Sequence, residues 1–362
     1  MQPQVTIVIP SHNRPRLLAR ALAHYLPSAQ AFGLPILVAD STAEPLAPVP
    51  EGVQYLHLPG LGIEAKLERV APLIATPLAV LCADDDFTSP ASILRCAAFL
   101  AAHPDHSGAH GHYLRVLRQP GAGAVSSAAS GAASDAVVIE PCYLDTHRAA
   151  IAAADPRQRL LELNRPYVPL FYAVLRTEVL QRAFGPGHGR EAFYASSELA
   201  LGFVAAMLGK VAVLPTLHAV RDIVPSLDLE GGRSDDLGVV STAPKYREVY
   251  GLFVDRLSGV LAEVLADKGG LSAAQARQAV LAAVAGFVDG YCQRNGRRPL
   301  WRKLPKYARR LARYTVPGAA ARQDAAARAA REAALRAYLA PAGPEAQAEQ
   351  DDILAKLAHT PG

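Results

Sequence analysis

The sequence predicts an α/β fold in which a mostly parallel sheet is flanked by helices and followed by a helical C-terminal extension. Three observations indicate this class. Short runs rich in Val, Ile and Leu alternate with helical patterns over residues 5–118, as expected when helical crossovers join parallel strands. Several of these runs end in an acid or a polar turn. From about Tyr246 onward the chain is Ala-rich and helical in pattern.

Each element is predicted from a local pattern. Apolar runs bounded by Pro or polar residues predict buried strands, and apolar spacing of three to four residues predicts helices. Ser11 and Asn13 are candidate N-caps of the first helix, and Ser89 caps the third, with Pro90 at its first position. The predicted strands are 5–9, 35–40, 53–59, 77–82, 107–118 and 210–222, and the predicted helices are 16–26, 62–74, 89–104 and 144–163. A strand running into a helix is expected over 168–180, and a glycine-bearing loop followed by an apolar helix over 184–209.

The chain divides by composition into two regions and a connection. Residues 1–225 carry the α/β pattern, 226–245 form a polar, Gly-rich linker, and 246–362 form the helical C-terminal region. Within the first region, 119–135 is rich in Gly, Ala and Ser, which is typical of a flexible excursion.

Bulk properties restrict the class of protein. Of 362 residues, 51% are hydrophobic and 19% charged, which favours a sizeable core and excludes wholesale disorder. The four cysteines form no CxxC pair, as expected in a reducing cytosol. No run of about 18 apolar residues occurs, and the N-terminal apolar stretch is short and lacks a basic flank. We therefore expect a cytoplasmic protein without a spanning helix.

The most informative stretch is LCADDDFTSP, residues 81–90, in which three adjacent aspartates follow an apolar strand. Adjacent carboxylates repel one another unless something positive binds there. Hard oxygen ligands suit Mg²⁺ or Mn²⁺, which use one or two carboxylates together with substrate phosphates. Asp84 and Asp86 share a side if the segment is extended, and Asp40 is a second acid at a strand end. The alternative is a solvated acidic turn at the start of the next helix.

Three segments in order, VTIVIPSHNRP, ILVADST and LCADDDFTSP, resemble the family 2 glycosyltransferases, which have the GT-A fold. More narrowly, they resemble a bacterial branch in which ADDDF is followed by a proline and an RTE segment, here Arg176–Glu178. The resemblance covers about residues 4–222. It implies a GT-A-like domain that transfers a sugar from a nucleotide-sugar donor to a hydroxyl, with inversion and with Mn²⁺ or Mg²⁺ as cofactor.

The resemblance also implies roles for the nucleotide side of the site. Pro10 to Asn13 would wrap the nucleotide, and Asp40 would accept a hydrogen bond from the imide N–H of the base. This favours UDP or dTDP, although a guanine imide also satisfies such an acceptor. Asp84 and Asp86 would be the ends of the DxD motif, with Asp86 the direct metal ligand and Asp85 assisting either one.

Four further residues are candidates for phosphate or metal contacts. Arg14 and Lys66 are candidates for the diphosphate, where cations offset the charge of a leaving group. His218 is a candidate third metal ligand, and Arg221 a phosphate contact. The alternatives are a solvated helix residue for Lys66 and a hydrogen-bonded structural residue for His218.

The resemblance requires a general base, and Glu198 in YASSELALGF occupies the expected place. A partly desolvated carboxylate there has its pKa raised toward a useful value. Many relatives carry an acid pair, whereas Ser196 and Ser197 precede Glu198 here, which leaves Glu191 as the rival base. The plainer reading is that Glu198 stabilises the helix N-terminus.

The acceptor side is less specified. The QxxRW motif of processive relatives is absent, which favours transfer of a single sugar to a glycan or lipid-linked acceptor in surface polysaccharide or glycoconjugate synthesis. The basic segment 294–313 contains Trp301 and no acid, and it fits contact with an anionic membrane surface at the inner face of the membrane or a solvated helix face. Nucleic-acid binding has no support elsewhere in the chain.

Two other functions stay open at this point. A sugar-phosphate nucleotidyltransferase would also place a nucleotide and metal acids on an α/β sheet, but PSHNRP lacks the glycines of its phosphate loop. A non-catalytic assembly protein would use the Ala-rich helical tail for self-association and keep only a relic of the nucleotide site.

Overall fold

The computed structural model describes residues 5–119, 136–142, 150–164, 167, 169–193, 195–223, 237–266, 270–295, 329 and 333–358. The strands are β1 Val5–Ser11, β2 Ile36–Asp40, β3 Val53–His57, β4 Leu78–Leu81, β5 Phe87–Thr88, β6 His106–Gln119, β7 Ala136–Cys142, β8 Val174–Arg176 and β9 Lys210–Ile223. The described helices include α1 Pro15–Phe32, α2 Ile63–Val70, α3 Pro90–Ala102, α4 Pro156–Asn164, α5 Thr177–Ala183, α6 Ser196–Leu208, α7 Leu237–Val240, α8 Arg247–Leu265, α9 Ala273–Asn295 and α10 Gly343–Ala358.

In the described ranges, the strands form one sheet in the order β3-β2-β1-β4-β8-β6-β9-β5, with β7 paired to β6. The pairs β3–β2, β2–β1, β1–β4 and β6–β9 are parallel, whereas β8, β5 and β7 run in the opposite direction. Because β8 is antiparallel to both β4 and β6, those two strands run in the same direction. Six strands therefore share one direction. The predicted fold class, a mostly parallel sheet flanked by helices, is therefore confirmed.

The register of the first strands decides where the polar strand ends meet. Ser11 pairs with Asp40, and Asp40 pairs with His57, in adjacent parallel strands. In the pair β1–β4, Val8 lies opposite Leu81. The segment after β1 and the acidic turn after β4 therefore leave the same edge of the sheet side by side, as expected for parallel strands.

Apolar residues cover both faces of the sheet. Ile7 and Ile9 belong to a cluster under α1 and α3, whereas Val8, between them, points to a second cluster under α2, α5 and α6, as the two-residue period of a strand requires. The second cluster also contains Phe253 and Val254 of α8. The helices beyond residue 246 thus share the core of the sheet, while the proposed division at 226–245 stays a prediction.

Two local predictions were wrong. Neither Ser11 nor Asn13 caps α1, which begins at Pro15 with Arg14 at the N-cap position and no side-chain cap. Ser11 is instead the last residue of β1, and its hydroxyl is used by the acidic turn. Of the helix expected over 144–163, the described residues 150–155 are not helical, and α4 begins at Pro156, where the Asp155 carboxylate accepts the Arg157 N–H at 2.7 Å.

One local prediction, the cap of α3, was right. Ser89 caps α3, accepting the Ser92 N–H at 3.1 Å. None of the described helices is long and apolar enough to cross a membrane. Two predictions lie outside the described residues, namely the basic segment 294–313, described only as far as residue 295, and the excursion 119–135, described only at its first residue.

Candidate functional site

The acidic turn lies between the ends of β4 and β5, and arginines contact each of its three aspartates. Arg14 donates to Asp84 Oδ1 at 3.3 Å and to Asp85 Oδ2 at 3.0 Å. Arg221 Nε donates to Asp86 Oδ2 at 3.1 Å. The turn is therefore not a freely solvated acidic loop, because these cations offset the mutual repulsion of the carboxylates.

Asp84 lies where the register of β1 and β4 places it. It follows Leu81 by three residues, as Ser11 follows Val8, and the Ser11 hydroxyl donates to Asp84 Oδ2 at 2.7 Å. Asp84 is only 3% exposed. Burial raises the pKa of Asp84, and the bonds from Ser11 and Arg14 oppose that rise.

Asp86 is enclosed by residues that sequence reasoning mostly missed. The Tyr172 hydroxyl and Arg221 both donate to Oδ2, and the backbone N–H of Asp222 donates to Oδ1 at 2.9 Å. Burial raises the pKa of Asp86 to about 6, partly offset by Arg221. Asp222 is in turn paired with Arg20 of α1 at 3.0 Å.

These contacts bear on the predicted metal ion. A carboxylate offers about four acceptor positions, and Asp86 already uses three of them on protein donors. Asp84 uses two, and Asp85 uses one. The hard oxygens of Asp84 and Asp85 therefore fit a divalent cation better than Asp86 does in this arrangement, and the choice of Asp86 as direct ligand stays a prediction.

His218 is buried beneath this turn with both ring nitrogens engaged. Nδ1 lies 2.7 Å from Ser92 Oγ, and Nε2 lies 2.7 Å from the Tyr172 carbonyl oxygen, to which it donates. Burial lowers the pKa of His218 to about 3. Among the described residues, no group of three or more His, Cys, Asp or Glu side chains is arranged to hold a metal.

Asp40 lies at the same edge of the sheet, at the end of β2. Its Oδ1 accepts from the backbone N–H and hydroxyl of Thr42, and its Oδ2 accepts from the Tyr55 hydroxyl at 2.7 Å. Burial raises the pKa of Asp40, but these bonds and the Lys66 charge outweigh it, so the pKa lies below its ordinary value. Asp40 is thus held as a carboxylate, and these bonds use three of its about four acceptor positions.

Lys66 of α2 reaches the same place from the other side of the sheet edge. Its side chain is buried, and Nζ donates to the Ser11 carbonyl oxygen at 2.6 Å. Burial lowers the pKa of Lys66 to about 8, and the charges of Asp84 and Asp40 limit that fall. The structure therefore excludes the solvated alternative for Lys66 and brings Ser11, Lys66 and Asp84 together.

The remaining residues of the predicted nucleotide segment surround this edge. Pro10 is buried within β1, whereas Asn13 is exposed and adopts a left-handed conformation with φ of 53°. Its backbone N–H donates to the Thr42 hydroxyl at 2.9 Å, which ties the turn after β1 to the end of β2.

A pocket of about 220 Å³ opens beside the acidic turn, and we call it the Glu198 pocket. Tyr172 and Arg221, which both contact Asp86, form part of its wall. The predicted base Glu198 lines it as well. The full lining is Ile63, Glu64, Tyr113, Pro169, Phe171, Tyr172, Ala195, Ser196, Ser197, Glu198 and Arg221.

Glu198 lies in the first turn of α6 and points to this pocket. The Tyr167 hydroxyl donates to Oε1 at 2.8 Å. Burial raises the pKa of Glu198, and the Tyr167 bond and the Arg221 charge oppose the rise. A carboxylate with a raised pKa, facing an open pocket, has the properties of a general base.

Glu191, the rival base, has a different environment. It is 1% exposed, and Arg256 of α8 donates to its two oxygens at 2.6 and 2.7 Å. His188 Nδ1 lies 3.1 Å from Oε2, and its Nε2 lies 3.0 Å from the Ser197 hydroxyl. Burial raises the pKa of Glu191, but the bonds from Arg256 and His188 outweigh it and lower the pKa. Glu191 does not line the Glu198 pocket and instead joins α8 to the start of α6.

Several site residues were not predicted from the sequence. Tyr167 and Tyr172 both precede β8, and Arg20 lies in the second turn of α1. Their partners are between 31 and 202 residues away in the chain. Local patterns carry no signal for such pairs, although a cluster of aromatic residues in RPYVPLFY marks the segment as unusual.

Comparison with known proteins gives a distant structural likeness. No family model matches the chain, and no curated protein matches it in sequence. The solved structure of S. aureus TarS is similar with a TM-score of 0.45 and 13% identity, covering 80% of this chain and 54% of that one. TarS 1–349 in complex with UDP-GlcNAc gives a TM-score of 0.46 and 12% identity, covering 81% and 92%. This chain thus spans about half the length of the longer TarS structure, and we infer function from the geometry of the site alone.

Proposed function

We propose that this protein is a glycosyltransferase that moves one sugar from a nucleotide-sugar donor to a hydroxyl acceptor with inversion. One observation carries the proposal. The predicted base Glu198 and the partners of the predicted DxD turn, Tyr172 and Arg221, line a single pocket. A donor held at the sheet edge by Asp40 and Lys66 would extend its sugar into that pocket.

The proposed reaction uses the chain's own residues at each end. Glu198 accepts the proton of the acceptor hydroxyl, and the acceptor oxygen forms a bond to the anomeric carbon from the face opposite the diphosphate. The bond between that carbon and the phosphate oxygen breaks, and its electron pair leaves on the diphosphate. Arg14, Lys66 and Arg221, which contact Asp84, Ser11 and Asp86 respectively, are the cations that would offset that charge.

A divalent cation, Mn²⁺ or Mg²⁺, belongs to the proposal as the predicted cofactor. The residues that would hold it are Asp84 and Asp85, together with oxygens of the diphosphate. When bound, such an ion would neutralise part of the charge on the leaving group. The ion would bind at the turn where Arg14 bridges these two carboxylates.

The acceptor side of the proposal rests on the pocket wall. Tyr113, Phe171 and Tyr172 present aromatic surface, which suits the apolar faces of a sugar ring. We therefore propose a glycan or lipid-linked sugar as acceptor, in the synthesis of a surface polysaccharide or glycoconjugate.

The first experiment is calorimetric titration of the purified chain with UDP, dTDP, GDP and CDP, each with and without Mn²⁺. We expect UDP or dTDP to bind and an Asp40→Asn variant to lose the preference among bases, because an amide also offers a donor where only an acceptor fits the imide. Failure of every nucleotide to bind would refute the proposal and favour a non-catalytic assembly protein. Incorporation of a nucleoside triphosphate and a sugar phosphate into a nucleotide-sugar would instead identify a nucleotidyltransferase.

A further inference from the structure

Glu64, in the first turn of α2, is a second carboxylate in the Glu198 pocket and has no role in the reaction proposed above. It is 8% exposed and lines the pocket. Its Oε1 accepts from the Ser196 hydroxyl at 2.7 Å. No salt bridge to Glu64 occurs among the described residues, nor does any hydrogen bond to its Oε2.

A carboxylate in this state has acceptor positions to offer. Burying an ionised group without enough donors is costly, so such groups in native proteins are paired or face a ligand. The charge of Lys66, on the same helix, interacts with Glu64, but its Nζ donates to the Ser11 carbonyl oxygen and gives Glu64 no hydrogen bond. Glu64 is thus a buried acceptor that faces a cavity.

The position of Glu64 is fixed by the backbone around it. The carboxylate of Glu68, one turn further along α2, accepts the backbone N–H groups of Gly187 and Gly189 at 3.1 and 2.7 Å. Gly189 packs so closely on α2 that a Cβ there would lie 3.2 Å from the Ala65 Cα. These contacts hold α2 against the turn that contains Gly187 and Gly189, and the Ser196 bond holds it against α6, so Glu64 is presented rigidly.

The location indicates which ligand group Glu64 would meet. Lys66, two residues along α2, reaches the sheet edge where the nucleotide is proposed to bind. Ser196, which donates to Glu64, lies two residues before the proposed base Glu198. The group that joins a bound nucleotide to the attacked carbon is the donor sugar, and its hydroxyls are hydrogen-bond donors.

We propose that Glu64 binds a hydroxyl of the donor sugar through Oε2 and thereby selects which sugar the enzyme accepts. This inference rests on the proposed function of the site. It assigns a specificity-determining contact to α2, which also carries Lys66, whereas the other proposed nucleotide contacts follow the ends of β1, β2 and β4.

The test compares the affinities of UDP and of UDP-GlcNAc, UDP-glucose and UDP-galactose by calorimetry, for wild type and for Glu64→Gln. The glutamine keeps an oxygen for Ser196 but replaces the other acceptor by an NH₂ group. We expect UDP affinity to stay within about twofold, and affinity for the preferred UDP-sugar to fall by about 10- to 100-fold, the range for losing a hydrogen bond to a charged group. Glu51→Gln, the same change at an exposed carboxylate before β3 and outside the pocket, should keep the wild-type preference.

Monodeoxy analogues of the preferred UDP-sugar provide the second arm on the wild-type protein. Removing one particular hydroxyl should lower the affinity of the wild type by the same factor as Glu64→Gln does. The same removal should not lower the affinity of Glu64→Gln any further, as for coupled partners in a double-mutant cycle. If Glu64→Gln keeps the wild-type sugar preference, or if its affinity for UDP falls as much as its affinity for the UDP-sugar, the role of Glu64 is overturned while the proposed function stands. Absence of nucleotide binding by the wild type overturns the proposed function, and the role of Glu64 with it.

Discussion

At the scale of single residues, burial and hydrogen bonding give similar carboxylates different properties. Asp40 accepts three hydrogen bonds and has a lowered pKa, whereas burial raises the pKa of Asp86 to about 6. Glu198 keeps a raised pKa beside an open pocket, but Glu191 is neutralised by Arg256. The residue type alone therefore does not assign a role, since burial and the donors around each carboxylate decide it together.

Glu198→Gln should lower kcat by about 10²- to 10⁴-fold, the usual contribution of a general base, with little change in donor affinity. The base must be ionised to accept a proton, and burial raises its pKa. Wild-type kcat/KM should therefore rise with pH to a plateau, and the midpoint of the rise should lie above the ordinary glutamate pKa of about 4.3. Tyr167→Phe removes a bond that stabilises the carboxylate, so the rise should move to higher pH with the plateau kept. The measurement is a pH profile of sugar transfer or donor hydrolysis, and an unmoved profile would assign the proton to another group.

Lys66 makes a prediction about nucleotide affinity and pH. Its pKa lies at about 8 in the folded protein, so the ammonium is present below that pH and lost above it. A bound diphosphate favours the charged form, and UDP affinity should therefore be constant below about pH 7.5 and fall above pH 8, with proton uptake on binding. Calorimetry in buffers of different ionisation enthalpy measures this uptake. Lys66→Met should bind UDP about 10- to 100-fold more weakly and without that pH dependence, and a retained dependence would exclude Lys66 as its source.

At the scale of elements, the start of α6 is the junction between the substrate pocket and the C-terminal helices. Arg256 of α8 binds Glu191, which contacts His188, which contacts Ser197 in the first turn of α6. Ala195, just before the helix, has a φ of 63°, an unusual value for a residue with a Cβ. The orientation of Glu198 is therefore set by contacts from α8 and from residues 188–191 as well as by its own helix.

Arg256→Ala should destabilise the protein by about 3–5 kcal/mol, because it leaves Glu191 buried without its cation. Arg277→Ala removes an exposed ion pair with Asp255, with side chains 47% and 66% exposed, and should cost about 0–1 kcal/mol. Urea unfolding of both variants and the wild type gives the comparison. Equal effects of the two changes would show that the Arg256 pair is not a buried structural contact.

At the scale of the whole molecule, residues near the C-terminus pack against the strands that carry the site. Tyr338, Leu339 and Ile353 form a cluster with Phe87 and Val220 of the β5–β9 pair. The Ser89 hydroxyl, at the start of α3, donates to Glu349 at 2.8 Å, and the Tyr113 N–H donates to the Tyr338 hydroxyl at 3.0 Å. Tyr113 lines the Glu198 pocket, and Phe87 follows Asp86. The contacts of residues 338–353 therefore stabilise the strands that carry the site.

Ile353→Ala should lower the free energy of unfolding by about 2–5 kcal/mol, as expected for truncating a side chain that is 2% exposed. Leu73→Ala, at a position 43% exposed, should change it by no more than about 0.5 kcal/mol. Urea titration followed by circular dichroism measures both. A cost for Ile353→Ala below that of Leu73→Ala would mean that α10 does not contribute to the folded core.

Most of the sheet could be predicted from the sequence because its strands have clear local patterns. The apolar runs at 5–9, 35–40 and 77–82 each became a buried parallel strand, and the Ser89-Pro90 pair marked the start of α3. The predicted helix starts were wrong in two places. The Ser11 hydroxyl binds Asp84 and does not cap α1, and Asp155 accepts a backbone N–H at the start of α4. Capping patterns are ambiguous when a second partner for the same hydroxyl lies far away in the chain.

By itself, the sequence determined the fold class and the strand-end positions of Asp40 and Asp84–Asp86, because two-residue and 3.6-residue periodicities and turn residues are local signals. The tertiary structure alone decided what each of these side chains touches. It placed Arg14, Arg20 and Arg221 against the acidic turn, joined Glu198 to that turn through one pocket, and left Glu64 facing the same space. Burial and pairing are properties of packing between distant segments, and they set the pKa and the chemistry of each group.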